Sequence, residues 1–389
     1  MEYEILKPPP RRHRTAWLVA LVVVVVAVAS GAFVLGRHDS ATSSGHASTT
    51  SSPSSLAPAR QLAVVSTVPA SGATNVPSDQ TVTVTLSAAV ASATGLPMFN
   101  PPVAGTWKRS GTDVLTFVAT APFIPTTTET MTVPAGSDGL RSTSGGVLVA
   151  PLTVTFSVAQ ASTERLQQLL AQLNYLPVSF TPSGAAPAPA GAATAQAGTF
   201  AWRWTGLPPD FTSEWIEGAE NPITKGGLMS FQRQHSLTVD GIAGHVVWTA
   251  LLGDASAQKM NTEPYVDVLV SKQVPQTLTL YENGAPVMTG VAVNTGAPGA
   301  DTVDGTFQVF EHVPSSRMQG TNPDGSTYDD PAVPWASYFN GGDALHGFVR
   351  SSYGTPQSNG CVEMPIAVAA QVWPLTPVGT PVTVIGPPS

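Results

Sequence analysis

The sequence has little sulfur, little charge and no pattern suited to a metal or a phosphate. Its 389 residues include one cysteine, Cys361, so no disulfide can close within the chain and each domain must be held by its own core. Charged residues make up 11%, and a formal net charge of −8 denies the chain the basic surface that nucleic-acid binding needs. The seven histidines are scattered and have no second cysteine to join them, which excludes the common zinc spacings. No phosphate loop or dinucleotide fingerprint occurs. Neither a metal nor a cofactor is expected, and nucleic acid is not an expected partner.

Glycine and proline are abundant, at 35 and 36 residues, and with Ser, Thr and Ala they suggest β-domains joined by flexible segments. A chain of this length predicts about two to four domains. Residues 1–15 are basic, with Lys7, Arg11, Arg12 and Arg14 preceding the uncharged stretch 16–35. About 20 apolar residues suffice to cross a bilayer, and the flanking cations predict a cytoplasmic N-terminus with everything downstream outside. This is a signal-anchor topology in the cell membrane. The alternative is secretion after cleavage near the small residues Ala27 to Ala32. Residues 36–61, rich in Ser, Thr, Ala and Gly, read as a disordered tether.

From 62 to 159 the pattern has a period of two. Val82, Val84 and Leu86 alternate with threonines, as do Leu152, Val154, Phe156 and Val158, and Ser71-Gly72, Ser110-Gly111 and Ser137-Asp138-Gly139 mark turns. About 100 residues of short strands predict a β-sandwich. The run from Val68-Pro69 through Gly105-Thr106-Trp107 resembles bacterial Ig-like domains, which implies a spacer or positioning role.

Residues 160–255 switch to helical periodicity. Leu166, Leu169, Leu170 and Leu173 form one stripe after an N-cap at Ser162 or Thr163. Leu228 and Phe231 mark a second helix, and Val247, Trp248, Leu251 and Leu252 a third. With the Asp240-Gly241 turn, this segment resembles the small three-helix peptidoglycan-binding domain, interrupted by an insertion at about 178–222.

The last region, 261–387, opens with strands. Val266 to Val270 is one, and Asn283-Gly284 joins two more as a hairpin turn. Pro381 to Ile385 reads as a closing strand, and a short helix is expected at 366–372. Within this region lie His346-Gly347 and Ser358-Asn359-Gly360-Cys361-Val362-Glu363-Met364. A free thiol is only a few per cent ionised near neutrality, so a nucleophilic Cys361 needs a base, and His346 is the candidate. The glycines allow tight turns, and the N–H groups of Gly360 and Cys361 are candidates for an oxyanion hole. Asp343 is read as shaping the turn that precedes His346.

These motifs resemble the active-site signature of L,D-transpeptidases, with Asn359 in place of the usual histidine and Glu363 in place of the usual arginine. The resemblance covers about 125 residues and implies a mostly β catalytic domain. It also implies that the Gly347 carbonyl orients His346, and that the enzyme forms a thioester on peptidoglycan tetrapeptide stems and transfers the acyl group to the amine of another stem. The catalytic residues are then Cys361, His346, Gly347 and Gly360. Substrate contacts are expected from Ser358 and Asn359 in the loop and from Arg350 and Ser351 as a carboxylate site. Trp335, Tyr338 and Phe339, with Tyr328, are expected to line the donor groove. Glu363 either braces the loop or faces a substrate cation. The fold expected is thus multidomain and mainly β, comprising a transmembrane helix, an Ig-like β-sandwich, a peptidoglycan-binding-like helical domain and a β-rich L,D-transpeptidase domain. Two alternatives share the sequence evidence: an L,D-carboxypeptidase or cysteine hydrolase of the same stems, and an inactive wall-binding protein.

Overall fold

The computed structural model describes residues 61–91, 95–183 and 192–386. The basic N-terminus, the apolar segment 16–35 and all of the tether except residue 61 lie outside the described residues. Among those described, no helix is long and apolar enough to cross a membrane.

The first described domain is a sandwich of two four-stranded sheets. Its strands are β1 (Val64–Val68), β2 (Ala73–Val76), β3 (Val82–Leu86), β4 (Met98–Phe99), β5 (Gly105–Arg109), β6 (Val114–Ala119), β7 (Thr128–Val133) and β8 (Leu152–Val158). One sheet runs β1-β3-β6-β5 and the other β2-β8-β7-β4. Alternation explains the fold: Val82, Val84 and Leu86 are buried while Thr83 and Thr85 stay half-exposed. They meet Val154, Phe156 and Val158 from the other sheet in one core.

The helical segment follows. Helix α1 (Thr163–Gln172) starts at Ser162, whose hydroxyl accepts from the Arg165 N–H. Next come β9 (Val178–Pro182), β10 (Gly198–Trp202) and α2 (Pro209–Thr212). Helix α3 (Pro222–Gln234) begins with proline at N1 after an Asn221 cap, and α4 (His245–Ala257) completes the set. The predicted leucine stripe, Phe231, Trp248, Leu251 and Leu252 form a single core. The 178–222 insertion supplies part of it: β9 and β10 pair as a hairpin and place Phe180 in that core with Phe200 packed against it. The Asp240 carboxylate closes the turn before α4 by accepting from Ile242 N–H and Gln232 Nε2.

The C-terminal domain contains two sheets. Strands β11 (Val266–Ser271), β12 (Thr277–Glu282), β13 (Ala285–Ala292), β14 (Gly305–Gln308), β15 (Glu311–Thr321), β16 (Thr327–Asn340), β17 (Asp343–Gly347) and β18 (Val362–Met364) precede helix α5 (Ile366–Val372) and strand β19 (Pro381–Ile385). The orders are β13-β12-β11-β19-β14 and β15-β16-β17-β18. Asn283 and Gly284 both take positive φ, as the tight turn between β12 and β13 demands. The helical segment is fastened to this domain by α3. Gly226 lies so close to the Gly379 carbonyl that a Cβ would come within 2.7 Å of it, and Gln308 Nε2 donates to the Pro222 carbonyl at 3.0 Å.

One core carboxyl works against stability. Asp267 on β11 is 1% exposed, its Oδ1 has no partner among the described residues, and burial pushes its pKa up to about 7. The folded chain therefore keeps this proton to about pH 7, whereas the unfolded chain releases it near 4. Its contribution is most favourable at low pH and is lost as pH rises through that window. Asp267→Asn should gain stability relative to wild type between about pH 4 and 7, as read from urea unfolding of the catalytic domain. A difference that does not change with pH would show that Asp267 is ionised in the folded chain.

Candidate active site

Strands β17 and β18 run parallel with His346 opposite Glu363, Leu345 opposite Val362 and Gly347 opposite Met364. Since side chains alternate, Leu345, Val362 and Met364 enter the core and His346 and Glu363 share the other face. Continued back by one residue from Leu345 and Val362, this register sets Cys361 opposite Ala344, on the same face as His346. The Ala344 backbone N–H is directed at the sulfur, and the thiol donates to the Gly342 carbonyl at 3.6 Å.

His346 is 3% exposed, and its Nδ1 lies 3.1 Å from the Gly347 carbonyl. A carbonyl only accepts, so Nδ1 carries the proton and Nε2 remains as a base. Burial lowers the His346 pKa, with the Gly347 carbonyl acting in the opposite sense. Burial drives the Cys361 thiol the other way, up to about 12, with Asp343 and Glu363 adding to the rise and the Ala344 N–H opposing it. Both shifts favour the neutral thiol and the neutral imidazole. Asp343, half-buried, is itself raised to about 6 by burial, against a hydrogen bond from Asn340.

The nucleophile turn is held by side chains that do not meet solvent. The Ser358 hydroxyl donates to the Cys361 carbonyl at 2.5 Å and accepts from the Gly360 N–H at 3.2 Å. Thr302 Oγ1 donates to the Gly360 carbonyl at 2.7 Å. Gly360 has φ +108°, and a Cβ there would lie 2.3 Å from Asp343 Oδ1. Two expectations change accordingly. The Gly360 N–H is spent on Ser358 and does not face a substrate oxyanion, and Ser358, 1% exposed, serves the turn instead of a ligand.

Arg350 is also differently employed. Its guanidinium grips Glu363 in a fork, Nε to Oε2 at 2.8 Å and Nη2 to Oε1 at 2.7 Å, and lies 4.8 Å from the Phe348 ring centroid. Of the two readings of Glu363 the structure selects the loop brace, and the arginine expected to hold a carboxylate is already paired. Ser351 is exposed and free of this brace. Phe339 is 3% exposed and belongs to the core. Trp335 packs on Trp373 at 5.3 Å, and the Tyr338 hydroxyl meets Ser316 Oγ at 2.7 Å on the neighbouring strand. Phe339 is thus a core residue, while Trp335 and Tyr338 are half-exposed and packed on one side. Tyr328 lies close enough for Cys361 to contribute to its raised pKa, after burial.

Two asparagines give the site its remaining frame. Asn359, exposed, donates to Asn322 Oδ1 at 2.6 Å, which ties the nucleophile turn to the tip of the β15–β16 hairpin. Asn294, fully buried, exchanges backbone hydrogen bonds with Glu363 at 2.9 Å and accepts from Gly354, Thr355 and Gln357 through its side chain. Neither Asn322 nor Asn294 was singled out by sequence reasoning. Each is one polar residue in a turn or at a strand end, and its partners are about 40 to 70 positions away.

Comparison with known proteins places this geometry. Residues 264–384 match the family model of the L,D-transpeptidase catalytic domain, and residues 58–158 match that of a bacterial Ig-like domain. No curated protein matches the chain. Solved structures with similarity include an L,D-transpeptidase from Mycobacterium smegmatis, at 14% identity over 83% of this chain and 99% of that one, with TM-score 0.29. L,D-transpeptidase 3 from Mycobacterium tuberculosis gives 14% identity over 83% and 98%, with TM-score 0.29. The catalytic domain of the E. faecium L,D-transpeptidase gives 23% identity over 32% of this chain and all of that one, with TM-score 0.29. The chain thus carries an L,D-transpeptidase catalytic domain and a bacterial Ig-like domain in a mainly β, multidomain architecture.

Two outcomes follow from the site. Arg350→Met leaves the Glu363 carboxylate buried without its partner and should destabilise the catalytic domain by about 3 kcal/mol in urea unfolding. Arg350→Lys should restore only part of this, because an ammonium cannot reproduce the fork. Independently, the ultraviolet thiolate absorbance of wild type, less that of Cys361→Ala, should appear only as pH approaches about 12. A transition near the free-thiol value of about 8.5 would mean that the resting thiol is not held neutral by burial.

Proposed function

We propose that the chain is a cell-wall L,D-transpeptidase acting through a Cys361 thioester on peptidoglycan tetrapeptide stems. The supporting observation is the parallel β17–β18 pair, which puts His346 and Cys361 on one face with the Gly347 carbonyl fixing the imidazole tautomer.

In this reading His346 Nε2 takes the Cys361 proton as the sulfur attacks the carbonyl of the third stem residue. The tetrahedral oxyanion falls to the Cys361 N–H, since that of Gly360 is engaged. Its collapse breaks the C–N bond, and the imidazolium returns the proton to the departing D-alanine amine. The amine of a second stem then attacks the thioester and gives a proton to His346. The C–S bond breaks, and the thiolate recovers that proton. Because the thiol starts neutral, proton transfer accompanies attack and no preformed ion pair is needed.

The rest of the chain fits a wall enzyme. Residues 16–35 act as a retained membrane anchor with the folded part outside, 36–61 as a tether and the Ig-like domain as a spacer. The helical segment, 160–255, serves as a peptidoglycan-binding module completed by its insertion, ahead of the catalytic region 261–387.

The test is incubation of the full chain with a disaccharide tetrapeptide, followed by mass spectrometry, beside Cys361→Ala and His346→Ala. Wild type should release D-alanine and yield a crosslinked dimer, and both variants should lose at least about a thousandfold in rate. D-alanine release without dimer would replace transpeptidation by carboxypeptidase action. An inert wild type, or an active Cys361→Ala, would refute the assignment.

A further inference from the structure

The seam between the helical segment and the catalytic domain opens into a cleft of about 830 Å³, within the size range of ligand sites. One wall comes from the start of α1, from α3 and from the Asp240–Gly241 turn, and the other from β14, Phe310 and the turn between β16 and β17. Its position relative to the chemistry is defined. The cleft ends at Asn340 and Gly341, and the next residue, Gly342, accepts the Cys361 thiol. Asn340 also donates to Asp343, whose carboxylate lies against Gly360.

Several lining groups carry an atom or a surface that the fold leaves unpaired. Trp248 is among the lining residues at 1% exposure, and its indole Nε1–H meets no acceptor among the described residues. Buried donors are nearly always satisfied, so this unpaired one marks a place where an added acceptor would be favourable. Lys225 projects from α3 beside Gly241, is exposed, and has no ion-pair partner among the described residues. The nearby Asp240 carboxylate is already occupied by Gln232 and the Ile242 N–H. Ile242 at 65% exposure and Phe310 at 43% present apolar surface from the two walls.

We propose that this cleft is a second peptide site, which holds the acceptor stem alongside the nucleophile. An oligopeptide with a free carboxylate, backbone carbonyls and methyl side chains matches the three unused features. Lys225 receives the carboxylate, the Trp248 N–H a carbonyl, and Ile242 and Phe310 the methyl groups. A glycan strand without its peptides gives Lys225 no anion, so the peptide arm is the better complement. The role as acceptor site rests on the transpeptidase reading, whereas peptide binding in the cleft does not.

The experiment uses the full chain with Cys361→Ala, titrated calorimetrically with a tetrapeptide stem. Two sites are expected. In that background Lys225→Met should weaken one of them about fivefold, the upper range for a solvent-facing ion pair, while Lys225→Arg retains it. Trp248→Phe should weaken the same site by up to about tenfold, with thermal melting to verify its fold. In the active chain Lys225→Met should raise KM for the acceptor and leave the rate of D-alanine release on acylation unchanged. Unaltered binding and unaltered acceptor KM in Lys225→Met would overturn the proposal. So would displacement of the second-site peptide by peptide-free glycan. If wild type forms no acyl-enzyme but still binds the tetrapeptide in a Lys225-dependent way, the transpeptidase reading fails and the peptide site stands.

Discussion

The parallel pairing of β17 with β18 is the constraint on which the site depends. A slip of one residue in either strand would turn its side chains to the opposite face and separate His346 from Cys361. The core opposes that slip, because Leu345, Val362 and Met364 pack in it and a shift by one residue would put the polar side chains of His346 and Glu363 there in their place. Catalytic geometry is thus guaranteed by apolar packing on the other side of the same two strands. A parallel pair has no hairpin to set its register, so the connection between the strands needs its own support. Asn294, bonded to both Glu363 and the 354–357 segment, provides it from a neighbouring strand end.

Electrostatics then sets the kind of chemistry the pair can perform. Burial lowers the basicity of His346 and raises the Cys361 pKa, and both shifts oppose a resting thiolate–imidazolium pair. The carboxylates of Asp343 and Glu363 add to the cost of a thiolate, but Glu363 is largely neutralised by Arg350. Such a site suppresses adventitious reaction of the lone thiol and leaves activation to a bound ligand. The Gly347 carbonyl contributes by determining which imidazole nitrogen is available, and it does so with no acidic residue.

Local pattern was legible in the sequence, and distant polar pairing was not. The period-two valines of β3, the leucine stripe of α1, the Asn283-Gly284 turn, the helix at 366–372 and the closing strand at 381–385 all lie where periodicity and turn chemistry placed them. Each is decided by residues within one turn or one strand. Phe339 turned out to be a core residue, because Trp335, Tyr338 and Phe339 look alike in sequence whether they face a ligand or a core. Alternation along β16 and the packing of Trp373 decide that question, and neither was visible. The character of the 178–222 insertion was not legible for the same reason: Phe180 joins the core, and Phe200 packs against it, only through a hairpin that pairs residues about 20 positions apart.

The two departures from the family signature have matching partners. Glu363, standing where an arginine is usual, is answered by Arg350, so the loop keeps a buried carboxylate–guanidinium fork. Asn359, standing where a histidine is usual, is answered by Asn322 on the hairpin tip, where two amides of complementary donor and acceptor make a bridge that is independent of pH. A site in decay would be expected to show unpartnered polar groups at the substituted positions. Here each substituted side chain is satisfied by a second residue, 13 positions away for Glu363 and 37 for Asn359. With Asn359 in place of a histidine, His346 is the imidazole that shares a strand face with the thiol.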